Sequence, residues 1–361
     1  MALHNWMDQM DDDLRFNQIV FPATHDSGMS FQSWQSAYNA INPLAYVVKP
    51  LAAIAGFFVN ATNSGKHTLH QDNFVTQSLD IAGQLANGAR QLDLRITNAT
   101  STRAWHAYHG EAAQVVAGLR AFGESWESIC NGIGGWWRNN PSEVLVLKMD
   151  KQSKGDAEAL MGVLSNALKA IHGGGGGNTC PLLGYVDQWR LRGLRGRILV
   201  CGKPSFTDTC NTLGGMHSAL TFCDWGKFEN GVGIVGAVTD NRPVYVLLGS
   251  SEGGLSKYKN VLEKQEEMKK LFQGQTASRT TASGMRGIWF NTFSLLSDIR
   301  TYSDEIWNSD NQDRRDRLWL ANDSIQNVAS VDFLEAEKAK YVIGQNPDRN
   351  WKTNGRATLD Q

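Results

Sequence analysis

Two histidines in this 361-residue chain stand beside the partners that phosphate-ester chemistry needs: His25 in Phe21-Pro22-Ala23-Thr24-His25-Asp26-Ser27, and His109 in Tyr108-His109-Gly110. Between them runs Leu92-Asp93-Leu94-Arg95, which sets a carboxylate and a guanidinium two residues apart. Imidazole titrates near neutrality, so one ring can take a proton from an attacking hydroxyl while another gives one to a departing alkoxide. An arginine can hold the phosphate between them and offset charge growing on its nonbridging oxygens. A lone histidine after a strand is more often structural. The ordered set of His25, Asp26, Asp93, Arg95 and His109 is what points to cleavage of a phosphate diester.

The elements that must position these groups alternate. β-branched runs predict strands over Gln18–Ala23, Ala89–Ile96, Ala104–Tyr108, Glu143–Met149, Gly196–Gly202, Val244–Gly249, Gly287–Asn291 and Val328–Phe333. Helical patterns fall between them at Ser78–Asn87, Gln114–Ile129, Asp156–Ile171, Lys257–Phe272, Asp313–Leu320 and Leu334–Val342. That order predicts an α/β fold, a single domain over residues 1–361 built as a distorted (β/α)8 TIM-type barrel. His25, Arg95, His109 and Asp150 then lie at the carboxyl ends of successive strands, the rim where such barrels do chemistry. Strand parity puts Asp93 and Arg95 on one face, and turns His106 away from His109, which disfavours a two-histidine metal site.

Composition narrows the function classes. A formal net charge of -1 and the lack of a basic tract argue against nucleic acid as a partner, and leave any membrane contact local and apolar. The five cysteines include no Cys-x-x-Cys pair, so no zinc framework is expected. Cys201 is expected to pack as a small hydrophobe, whereas Cys180, Cys210 and Cys223 lie in loop-like sequence and could supply one disulfide in an exported protein. The run Gly173–Gly177 lacks the Lys-Ser/Thr of a phosphate loop. Met1–Asp13 is polar and acidic, which fits an intracellular chain or a mature form whose signal has gone. Ala40–Ala61 is apolar but broken by Pro43, Lys49 and Pro50, well short of the ~20 residues of a spanning helix. It belongs to a long insertion, Ser30–Asn73, between the first two strands. There Trp34, Tyr46, Phe57 and Phe58 could anchor an apolar flap in lipid, or simply pack on the barrel exterior.

Taken together, Phe21–Ser27, the Ala89–Arg95 strand, the Tyr108-His109-Gly110 corner and Asn140-Pro141-Ser142-Glu143 before an apolar strand resemble the X-domain of bacterial phosphatidylinositol-specific phospholipase C. Val328-Ala329-Ser330-Val331-Asp332-Phe333 resembles the last barrel strand of that family, which ends in a catalytic aspartate. The resemblance spans roughly residues 17 to 343 and is dense in the first half. It implies a phosphatidylinositol diacylglycerol-lyase. His25 would be the general base toward the inositol 2-hydroxyl, with Asp332 fixing its tautomer, and Asp332 could otherwise cap the following helix. His109 would be the general acid assisted by Asp93, and Arg95, oriented by Asp26, would bind the phosphate.

Eukaryotic relatives carry an acidic calcium ligand where this chain has Arg95, so the resemblance implies an enzyme with no metal and no cofactor. The fourth strand departs from the family: the usual lysine position falls on Asp150, and Lys148 is the cation that could reach the phosphate or pair with Asp150. Lys203, Asp224 and Trp225 are candidates for holding the inositol ring. The implied partner is phosphatidylinositol in membranes, met through peripheral contact by a secreted protein, with no protein partner. Two other functions fit parts of the pattern. A calcium-dependent phospholipase C or other phosphodiesterase on the same barrel would use acidic metal ligands, and a non-catalytic inositol- or glycan-binding module would dispense with a histidine or the arginine.

Overall fold

The computed structural model describes residues 2–30, 75–99, 104–109, 121–149, 152–172, 189–224, 246–247, 287–290, 328–331, 333–346 and 351–352. Eleven strands are described: β1 (Phe21–Thr24), β2 (Gln91–Asp93), β3 (Ile96–Ala99), β4 (Ala104–His109), β5 (Ala121–Ser125), β6 (Leu145–Met149), β7 (Ile198–Gly202), β8 (Leu220–Asp224), β9 (Val246–Leu247), β10 (Gly287–Phe290) and β11 (Val328–Val331). Eight form one sheet in the order β8-β7-β6-β2-β1-β11-β10-β9, every pairing parallel. The other three make an antiparallel ribbon, β3-β4-β5.

Parallel strands are covered on both faces, and the central ones show it: all five residues of β6 and all five of β7 are buried. Helices α1 (Ile81–Ala86), α2 (Trp126–Asn139), α3 (Ala157–His172), α4 (Leu191–Leu194), α5 (Pro204–Thr212) and α6 (Ala336–Ile343) are described beside them. Two start on side-chain caps. Asp80 accepts from the Gly83 amide at 2.8 Å ahead of α1, and Ser125 accepts from the Ser128 amide at 3.2 Å ahead of α2. Helix α2 packs along α3, and the buried stripe of Ile129, Ile133 and Trp137 on the one is matched by Leu160, Leu164 and Leu168 on the other.

Several expectations change. The sheet has eight parallel strands, but among the described residues no bond joins its edges β8 and β9, so the closed barrel is not seen. The segment 104–108, expected in that barrel, belongs to the ribbon, and Leu220–Asp224 takes its place. An alternating apolar run tells that a strand forms, not which strand it pairs with. Residues 121–125, expected as helix, form β5, and α2 begins only at Trp126. Cys210 lies in α5 and Cys223 in β8, both as buried free thiols, and burial pushes the Cys210 thiol up to about 12. Cys201 is a buried core thiol, as expected. Cys180, the insertion beyond Ser30 and the helices expected at 257–272 and 313–320 fall outside the described residues.

At the amino ends of β2 and β6 a buried ion pair fastens the N-terminal segment. Arg90 Nη2 lies 2.6 Å from Glu143 Oε2, and Arg90 also donates to the carbonyls of His4, Leu85 and Ala89. Glu143 accepts from the amides of Met7 and Asp8. The guanidinium carbon sits 4.8 Å from the ring centre of Trp136 and 5.6 Å from that of Trp6. No helix among the described residues is long and apolar enough to cross a membrane.

Candidate active site

The carboxyl end of β1 turns sharply after Thr24, and Asp26 takes φ 40°, a left-handed conformation that Asp tolerates better than most residues. The turn is held from several directions. Ser27 donates its amide to Asp93 O at 2.8 Å, its hydroxyl lies 2.7 Å from Thr24 Oγ1, and Met29 N bonds back to Asp26 O at 2.8 Å. Ser27 is thus a turn residue. Gly28 lies so close to Ala107 that a Cβ would collide, so glycine is required where the turn passes the ribbon.

That turn places Asp26 at the centre of a cluster of charge. Its Oδ1 lies 2.8 Å from Arg95 Nε, and its Oδ2 lies 2.5 Å from His109 Nδ1 and 3.4 Å from His25 Nε2. The imidazoles of His25 and His109 face each other edge to face with ring centres 6.2 Å apart. Asp26 is buried. Burial alone would push its carboxyl up, but the Arg95 guanidinium and the two imidazoles outweigh that and hold the acid well below the usual carboxylate range. Asp26 therefore stays ionised across the range in which histidine titrates.

Asp93 closes β2 and lies directly across from Lys148 on β6. Its Oδ1 is 3.2 Å from Lys148 Nζ and its Oδ2 is 3.8 Å from Arg95 Nη2. Strand β2 ends at Asp93, two residues earlier than Arg95, and the break before β3 lets Arg95 bridge both carboxylates. His109 arrives from the ribbon rather than from the parallel sheet. Ala107 and His109 are buried while Trp105 is partly exposed, and His106 turns to the Gly123 carbonyl at 3.3 Å, in keeping with the parity expected.

The structure thus brings together His25, Asp26, Asp93, Arg95, His109 and Lys148. It assigns contacts differently from the resemblance in one respect: the carboxylate that meets His109 Nδ1 is Asp26, and the one that meets Lys148 is Asp93. Lys203 follows β7 on the same rim and is exposed, at the start of α5. Asp224 ends β8 opposite Gly202. Asp150, Trp225 and Asp332 lie outside the described residues. Sequence reasoning missed Thr76 and Gln77. Thr76 Oγ1 donates to the His25 and Asp26 carbonyls at 3.0 and 3.1 Å, and Gln77 Nε2 donates to the His25 carbonyl at 3.1 Å. Neither sits in a motif, and no signal in one sequence would have found them.

His25, Asp26 and Asp93 also offer donor atoms within 4.8 Å of one another, the spacing of a metal-binding group. Both carboxylates already face cations, Arg95 on Asp26 and Lys148 on Asp93. A divalent ion would have to displace a guanidinium and an ammonium, so the residues present do not fit one.

No family model and no curated protein sequence matches the chain. Solved structures do. The phosphatidylinositol-specific phospholipase C from Listeria monocytogenes aligns over 96% of this chain and 100% of its own, with TM-score 0.55 and 16% identity. A variant of the phosphatidylinositol-specific phospholipase C from Staphylococcus aureus aligns over 96% and 100%, with TM-score 0.52 and 13% identity. Another structure of the S. aureus protein aligns at TM-score 0.52 and 16% identity. The chain shares their fold. The cluster around Asp26 lies at the carboxyl rim of the parallel sheet.

Proposed function

We propose that this chain is a phosphatidylinositol-specific phospholipase C that cleaves its substrate without a metal, giving diacylglycerol and inositol 1,2-cyclic phosphate. The observation that carries the reading is the meeting of two imidazoles and a guanidinium on one buried, ionised carboxylate, Asp26. With their ring centres 6.2 Å apart, both imidazoles can reach oxygens of a single phosphate. The shared fold adds a substrate class, because the similar proteins are named for phosphatidylinositol.

In this reading His25 takes the proton of the inositol 2-hydroxyl as that oxygen forms its bond to phosphorus. The bond from phosphorus to the diacylglycerol oxygen breaks, and His109 gives that oxygen a proton. Asp26 at His109 Nδ1 makes that nitrogen the donor toward the carboxylate and leaves Nε2 to deliver the proton. Arg95, fixed by Asp26, offsets the charge on the nonbridging oxygens. Lys148 adds positive charge at the same rim through Asp93. One proton passes in net from His109 to His25, and exchange with water restores both rings. Asp332 as partner of His25, and Asp150, Lys203, Asp224 and Trp225 as contacts to the inositol ring, belong to this proposal, as does action by an exported protein at a membrane surface.

One second reading is a metal-dependent phosphodiesterase, which the spacing of His25, Asp26 and Asp93 would allow only if a metal displaced Arg95 and Lys148 from the two carboxylates. Diacylglycerol release from phosphatidylinositol vesicles in excess EDTA separates the two. Undiminished release is expected. Release that stops in EDTA and returns with calcium would replace the proposal with the second reading.

A further inference from the structure

We propose that Gln77, together with Thr76, is a positioning residue of the acid/base site, which fixes His25 by tying its turn to the corner after β11; this rests on the phospholipase reading above. Strands β1 and β11 are parallel neighbours in register, Thr24 opposite Val331. Past these residues the chain bends twice into the left-handed region without glycine, at Asp26 (φ 40°) and at Phe333 (φ 52°). Such residues persist only where their surroundings over-determine them.

Besides the bonds within the Asp26 turn, those that join the two bends converge on Thr76 and Gln77. The Gln77 carboxamide is used up: Nε2 donates to the His25 carbonyl at 3.1 Å and the Val331 carbonyl at 3.0 Å, and Oε1 accepts from the Leu334 amide at 3.1 Å. Two carbonyls and one amide leave no freedom in which end is nitrogen. Thr76 bonds the His25 and Asp26 carbonyls through its hydroxyl and accepts from Phe333 N at 2.7 Å through its own carbonyl. Both residues are buried. Their backbone is anchored in turn, since the Thr76 and Gln77 amides donate to Met29 O and Ser30 bridges Gln77 in parallel fashion. Gln77 therefore links the backbone of His25 to both ends of the Val331–Leu334 corner, and its loss frees the His25 turn to move relative to His109.

The test uses the full chain with Gln77→Met, which keeps length and loses the side-chain hydrogen bonds to His25, Val331 and Leu334, and folding is checked by near-UV circular dichroism. Proton NMR of the His25 imidazole, without substrate, is the first readout, and steady-state cleavage of phosphatidylinositol vesicles across pH is the second. The expected result is a displaced His25 resonance, an altered pH profile and kcat lower by about 10- to 100-fold with KM within about twofold. A folded variant with unmoved resonance and unchanged kcat overturns the proposal. A displaced resonance in the variant, with no cleavage of phosphatidylinositol by the native chain, upholds the positioning role and removes the phospholipase reading instead. If Gln77→Met does not fold, Thr76→Val decides by the same readouts, with Thr76→Ser expected to restore most of what Thr76→Val loses.

Discussion

Strands β2 and β6 carry a buried ion pair at each end, and the two ends differ in what surrounds the charge. At the amino end Arg90 and Glu143 are enclosed by backbone amides and carbonyls of the N-terminal segment and by two indole rings. At the carboxyl end Asp93 and Lys148 join Arg95, Asp26 and two imidazoles, so that side chains chiefly face one another. Parity explains how one strand serves both: Arg90 and Asp93 are an odd number of residues apart and project to opposite faces. A charge saturated by backbone makes structure, while one shared among titratable side chains can make chemistry.

The widest separation should come from Asp26→Asn, which keeps shape and removes the charge that orients Arg95 and both rings. We expect kcat on phosphatidylinositol vesicles to fall by about 10³- to 10⁴-fold, as when the orienting acid of a histidine-centred site is neutralised, with the fold retained. Arg90→Met should do the reverse. Removing one partner of a buried pair costs about 3–5 kcal/mol, read as a lower denaturant midpoint, while kcat of the folded enzyme stays unchanged. Equal loss of activity in both variants would erase the distinction between the two ends.

Acid titration sharpens it further. Asp26 is held below its unfolded value, so its contribution to stability is present above about pH 4 and drains away as pH falls from there toward the lower folded value. Unfolding free energy should decline between about pH 4 and 2 more steeply in the native chain than in Asp26→Asn, as followed by denaturant titrations at each pH. The smallest effect is expected at the surface pair of Arg195 with Asp12, 2.6 Å apart but with Asp12 half exposed. Asp12→Asn should cost less than about 1 kcal/mol and less still in high salt.

The gathering of these side chains was legible because they are rare residue types in a fixed order. His25, Asp26, Asp93, Arg95 and His109 all converge, and Lys148 joins them. What the sequence could not convey is which of two carboxylates would meet which cation. Asp26 adjoins His25 in sequence yet reaches His109, because the left-handed turn swings it inward. Strand existence was likewise easier to read than strand partnership: Ala104–His109 alternates like a barrel strand but pairs with its own neighbours, and Leu220–Asp224 passes for loop until β7 lies beside it. Thr76 and Gln77 act through backbone carbonyls, which any sequence supplies, and so leave no trace in residue type.

Phosphorus NMR of the products formed from phosphatidylinositol vesicles in excess EDTA tests the central claim most directly, with His25→Ala alongside. The expected result is a cyclic 1,2-phosphate signal that disappears in the variant. A product that is acyclic from the first turnover, or a cyclic signal that persists in His25→Ala, would contradict the role given to the paired histidines around Asp26.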